Sequence, residues 1–129
     1  MRVIRTDLAP APVAGAPYSQ AIAAGPGEMV WVSGQVPVDP TTGQLVADEA
    51  GAQTAQSLAN VAAILEAAGA GLADIVKTTV FLTDMADFPA MNAVYASVVG
   101  DHAPARATVG VASLPLGARV EIEAVAVQS

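Results

Sequence analysis

Cysteine is absent from this chain, and histidine occurs once, at His102. The first absence excludes disulfides and thiol nucleophiles; the second leaves any zinc site to carboxylates. No carboxylates fall at ligand spacing, so no metal is expected. Basic residues are also scarce: Arg2, Arg5, Lys77, Arg106 and Arg119 stand against 12 acidic residues, for a formal net charge of −7. Nucleic-acid binding draws on clustered cations and counterion release, and five dispersed cations argue against that partner. No apolar run approaches the roughly 18 residues of a membrane span. Residues 1–7, MRVIRTD, lack the apolar core of a signal peptide. A soluble, cytoplasmic protein without a membrane partner is expected.

What is present is apolar and regularly patterned. The 129 residues are 53% hydrophobic, enough for one domain over 1–129 that buries about two thirds of its surface. Residues 2–6 suit a short edge strand, and Pro10, Pro12, Gly15 and Pro17 keep the following stretch irregular. Residues 21–24 and 29–35 read as strands around Gly25-Pro26-Gly27. Met29-Val30-Trp31-Val32 is apolar on both faces, which suits a central strand. Ser33-Gly34 ends it, where backbone can approach a ligand closely. Asp39-Pro40-Thr41-Thr42-Gly43 is a turn.

Asp48 is placed to cap a helix running to about residue 68, with Gly69 beyond its end. Ala55, Leu58, Val61, Ala62 and Leu65 form its apolar stripe, opposite Gln53, Gln56, Ser57 and Asn60; Ile64 falls outside the pattern. Residues 75–83 suit a strand with Val76, Val80 and Leu82 on one face and Ile75 and Phe81 on the other. A second helix starts near Asp87, tolerates Pro89 in its first turn, and carries Met91, Val94, Tyr95 and Val98 on one stripe. Asp48, Glu49, Asp84 and Asp87 flank helices, where carboxylates act as caps. Gly69-Ala70-Gly71 follows a helix and is a helix stop, not a phosphate loop. His102 reads as a histidine of an exposed loop.

The C-terminal block, residues 104–127, holds two strands joined through Leu114-Pro115-Leu116-Gly117. From Arg119 the alternation is strict, with Val120, Ile122, Ala124 and Ala126 on one face and Glu121 and Glu123 on the other. Arg106 opens the first strand and Glu121 lies in the second. If the two strands come close, a cation and a carboxylate share one cleft. By residue type alone, Arg106 is either one half of a strand-edge ion pair or a bidentate clamp for a carboxylate, and Glu121 is a solvent-facing strand residue. The order β-β-β-α-β-α-β-β predicts an α+β fold, a mixed six-stranded sheet with two helices packed on one face. The other face keeps Trp31, Phe81, Val125 and Val127, so self-association is expected to cover it.

This block also carries a resemblance. Pro104-Ala105-Arg106, then a hydrophobic strand, Leu114-Pro115 and Val120-Glu121-Ile122-Glu123-Ala124 resembles the C-terminal signature of the RidA (YjgF) family. PYSQA at 17–21, VSGQ-P at 32–37, Thr42-Gly43 and the long match between Gln53 and Tyr95 follow in family order, so the likeness spans nearly the whole chain. The resemblance implies a chorismate-mutase-like homotrimer with sites in the clefts between subunits. It implies a cofactor-independent 2-iminobutanoate/2-iminopropanoate deaminase, hydrolysing enamines and imines such as 2-aminoacrylate to 2-keto acids and ammonia. Arg106 would hold the substrate carboxylate and Glu121 would handle the attacking water, with Glu123 on the same strand face as an open alternative. Tyr18, Ser33 and Asn92 would line the cleft; each also has a plain structural role as packed aromatic, strand end or helix-surface polar residue. Thr108 stands where many relatives carry cysteine and keeps a polar group there. Two further departures are Gly15-Ala16-Pro17-Tyr18, where relatives often have Gly-Pro-Tyr, and a short loop at 99–103 that bears on substrate range. The other function classes are a nonenzymatic metabolite-binding or chaperone-like protein of the same fold and, less compatible with the charge, a ribonuclease that inhibits translation.

Overall fold

Strict alternation makes β8 (Val120–Gln128) a strand with two unlike faces: Val120, Ile122, Ala124 and Ala126 are buried, and the residues between them are partly exposed. The computed structural model describes residues 1–12 and 16–128; Gly15, in the departure noted above, lies outside the described residues. β8 pairs antiparallel on one side with β3 (Glu28–Gln35) and on the other with β6 (Ile75–Leu82). β6 pairs in parallel with β7 (Ala105–Gly110), giving a mixed sheet in the order β3-β8-β6-β7. The expected six-stranded sheet therefore resolves into four strands and a separate ribbon of β1 (Arg2–Ile4) with β2 (Ala21–Ala23). One bridge, Ser19 to Ala105, joins the ribbon to the edge of the sheet. Pro17 and Pro104 flank that bridge and have no N–H to extend it into a ladder. A second small ribbon, β4 (Val38–Asp39) with β5 (Gln44–Leu45), closes the predicted turn, where Asp39 accepts from the Thr41 amide at 2.9 Å.

β3 is an edge strand of this sheet, not a central one. Its apolar residues on both faces have separate causes: Val32 packs into the core, whereas Trp31 on the other face is 71% exposed. Ile75 also departs from expectation. A register shift between Ile75 and Lys77 turns it to the side of Val80 and Leu82, and it is buried with them.

Both helices pack on one face. α1 (Ala50–Ala67) and α2 (Phe88–Val99) enclose one cluster around Leu58, Met91, Tyr95, Val80, Leu82 and Ile122, and α1 alone covers a second around Val61, Leu65, Ile75 and Val32. The buried stripe of α1 is rotated from the predicted one. Gln53, Thr54 and Ser57 face inward and Ala55 faces out. Two of these polar residues bond to backbone: Gln53 accepts from the Arg119 amide at 2.8 Å, and Thr54 donates to the Ala50 carbonyl at 2.8 Å, whereas Ser57 Oγ has no partner among the described residues. Ile64 is exposed beside Val36, Val38 and Pro40, along an apolar groove of about 340 Å³.

The cap of α1 is Glu49, whose carboxylate accepts from the amides of Gly51 and Ala52 at 2.7 and 2.8 Å. Asp48 instead turns outward to Arg119 at 2.6 Å. Asp84 accepts from the Ala86 amide at 2.9 Å, and Asp87 makes no cap bond but faces Arg119 at 3.4 Å. Glu49→Ala is accordingly expected to cost about 1 kcal/mol, read from unfolding curves at equal protein concentration. Asp48→Ala, which loses only an exposed ion pair, should barely move them. His102 is more than a surface residue: it is partly buried, and its Nε2 lies 2.5 Å from the Ile75 carbonyl oxygen.

Candidate functional site

The edge strand β7 sets the first half of the site. Its parallel register places Arg106 beside Thr78 and Thr108 beside Val80. Thr78 and Val80 point into the helix-covered core, so Arg106 and Thr108 project to the same side, under α2. Helix α2 presents Phe88, Asn92 and Tyr95 there, at positions i, i+4 and i+7 of one face. Asn92 Oδ1 accepts from Arg106 Nη1 at 2.6 Å. The guanidinium carbon lies 4.9 Å from the ring centre of Tyr95, 5.6 Å from Phe88 and 5.4 Å from Tyr18. Tyr18 reaches this place because Ser19 is fastened to the segment that leads into β7, through its hydroxyl on the Ala103 carbonyl at 2.6 Å and its amide on Pro104 at 3.4 Å.

Arg106 is half-buried and has no carboxylate beside it; both ion pairs among the described residues belong to Arg119. Burial pushes the Arg106 pKa down, partly offset by Tyr95 and Tyr18, yet a guanidinium stays charged at any physiological pH. A strand-edge ion pair is thus not what this arginine makes. Tyr18, Phe88, Arg106 and Thr108 line a cavity of about 210 Å³. Thr108 Oγ1 is buried against it with no partner among the described residues. A cation flanked by aromatic faces, one amide oxygen and a spare hydroxyl suits a small planar anion, which a guanidinium can meet with two parallel hydrogen bonds.

The second half lies elsewhere. β7 and β8 do not pair, because β6 runs between them. Glu121 pairs with Phe81 and Glu123 with Thr79, on the sheet face away from the helices. Arg106 and Glu121 therefore occupy opposite faces of one sheet, and the expected shared cleft does not form within a single subunit. Glu121 has its own surroundings. β3 has a register shift between Val32 and Gln35, and a Cβ at Gly34 would come within 2.9 Å of the Glu121 carboxyl carbon. Only glycine leaves the carboxylate its place.

The structure thus brings Tyr18, Asn92, Arg106 and Thr108 together, and separately sets Gly34 against Glu121; Ser33 is exposed on β3, at the opposite edge of the sheet from β7. Phe88 and Tyr95 belong to the first group and were not singled out from the sequence. Their spacing with Asn92 on one helix face is the signal that finds them. No cluster of three or more potential metal-ligating side chains exists among the described residues, and no helix there is long and apolar enough to cross a membrane.

Known proteins resemble this chain over nearly its whole length. A protein of Salmonella typhimurium named 2-iminobutanoate/2-iminopropanoate deaminase is 49% identical over 130 residues, covering 98% of both chains. The mouse protein of that name is 46% identical over 127 residues, covering 98% of this chain and 91% of its own. The crystal structure of Escherichia coli TdcF with bound serine superposes with a TM-score of 0.75 at 45% identity, covering all of both chains. A family model described as endoribonuclease L-PSP matches residues 8–128, and on that match the chain belongs to this family, the RidA family whose motifs it carries.

Proposed function

We propose that this single-domain protein is a cytoplasmic imine deaminase that takes 2-enamine and 2-imine acids, such as 2-aminoacrylate, to 2-keto acids and ammonia. The observation that carries this is the half-buried Arg106 guanidinium, without a carboxylate partner and framed by three aromatic rings and Asn92. Its complement is a carboxylate on a small, flat molecule. The names of the Salmonella and mouse relatives support the substrate class, and the serine bound to TdcF is a small molecule with the same α-carboxylate.

The chemistry asks little of the protein. An enamine tautomerises to the imine, whose C2 is already electrophilic, so no cofactor is required. Water adds at C2 and ammonia leaves. Arg106 fixes the carboxylate and so the orientation of C2. Glu121 guides the water and accepts its proton; Thr108 offers a hydroxyl and Tyr18, Ser33 and Asn92 line the cleft. Because Glu121 and Arg106 are on opposite faces of one sheet, the complete site needs Glu121 of a neighbouring subunit. A homotrimer with sites between subunits meets that need and covers the face on which Trp31, Phe81 and Val125 are left. A net charge of −7 with dispersed cations supports no nucleic-acid substrate.

The test is a coupled assay in which an amino-acid dehydratase releases the enamine in situ. Keto acid should appear several-fold faster with this protein than by free hydrolysis at the same enamine supply. Unchanged keto-acid formation, with saturable binding of a carboxylate ligand, would instead establish the nonenzymatic binding role.

A further inference from the structure

The residues that α2 turns toward Arg106 do different things, and Tyr95 is the one carboxylate binding does not account for. It is fully buried and does not line the cavity. Its hydroxyl forms a 2.7 Å hydrogen bond with Thr78 Oγ1. Thr78, only 1% exposed, is the β6 residue that pairs in register with Arg106. One end of the ring is thus tied to the strand beside the arginine. Its face lies nearest of the three aromatic rings to the guanidinium. Leu58, Val80, Leu82 and Met91 surround the pair with apolar groups. Phenylalanine opposite valine would fill the same space without a polar bond to satisfy, so packing alone does not explain the two hydroxyls.

We propose that Tyr95, held by Thr78, is a positioning residue for Arg106, setting the plane of the guanidinium while Asn92 sets its rotation within that plane. This rests on the assignment of Arg106 as the carboxylate clamp. An arginine on an edge strand loses considerable side-chain freedom when it is fixed, and a fork that is already ordered binds without that loss at the moment of association. Orientation of this kind acts on the bound substrate before and during the reaction alike. Its removal therefore weakens binding uniformly and shows in KM.

Thr78→Val removes the hydroxyl and keeps the shape; Thr78→Ser keeps the hydroxyl. Steady-state enamine hydrolysis is compared in both, beside Arg106→Ala, at a temperature where circular dichroism shows each variant folded. Thr78→Val is expected to raise KM about fivefold with kcat within about twofold, and Thr78→Ser to return KM close to the parent value. A pair that only stabilises the core would lower the thermal midpoint in Thr78→Val and leave KM unmoved, which overturns the positioning role. Tyr95→Phe makes the same comparison from the other end should Thr78→Val not fold. If Arg106→Ala loses activity while Thr78→Val and Tyr95→Phe keep the parental KM, positioning fails and the clamp stands. If Arg106→Ala itself keeps full activity, the clamp fails and the inference with it.

Discussion

Arg106→Ala is expected to lower kcat/KM for imine hydrolysis about a hundredfold, the loss of a bidentate guanidinium–carboxylate contact on the order of 3 kcal/mol. The magnitude follows from the surroundings. On an open surface, salt and water would reduce such a contact to a fraction of this, but Arg106 is half-buried between Tyr18, Phe88 and Tyr95 and already oriented by Asn92. Arg106→Lys keeps the charge and loses the planar fork, the stacking on the rings and the Asn92 geometry, so it should recover only a minor part. Both variants should fold, since Arg106 sits at the sheet edge and makes no ion pair that its removal would strand. Full activity in Arg106→Ala would remove the clamp and, with it, the deaminase assignment.

The sheet and both helices were legible in the sequence because the pattern of burial is local. β8 alternates without a break, and α2 carries Met91 and Tyr95 a turn apart. Strand order is not local, and that is where sequence reading fell short. Nothing in residues 104–127 says that β6 will lie between β7 and β8. The opposite placement of Arg106 and Glu121 then follows from parity: they pair with Thr78 and Phe81, an odd number of residues apart on one strand, and side chains alternate faces. The grouping of Tyr18, Asn92 and Thr108 around Arg106 was legible through the family motifs. Tyr95 was not, because by spacing it is one more member of an apolar stripe. Its polar end gains meaning only once Thr78 is in register beside Arg106. The cap at Glu49 was hidden for a simpler reason. Asp48 is the better capping residue by type, but it pairs with the sequence-distant Arg119 instead.

Mixing two inactive variants should restore activity. If the protein is a homotrimer whose sites join Arg106 of one subunit to Glu121 of the next, Arg106→Ala and Glu121→Ala each disable every site in their own assemblies. In mixed trimers formed after co-denaturation and refolding, some clefts receive the intact Arg106 from one variant and the intact Glu121 from the other. With equal amounts and random assembly, about one quarter of clefts combine both intact residues, half the subunits supplying each, as a head-to-tail ring requires. The mixture should therefore regain about a quarter of parental kcat with KM near the parent value, since restored clefts are whole and the others silent. The two opposite-face positions make this outcome specific. Were both residues in one subunit's own cleft, each mixed assembly would contain only singly disabled sites and the mixture would stay as inactive as its components. Parental trimer carried through the same unfolding and refolding measures the recovery against which the quarter is read, and light scattering verifies that the mixture assembles. No regained activity from assembled mixed trimers would overturn the intersubunit site.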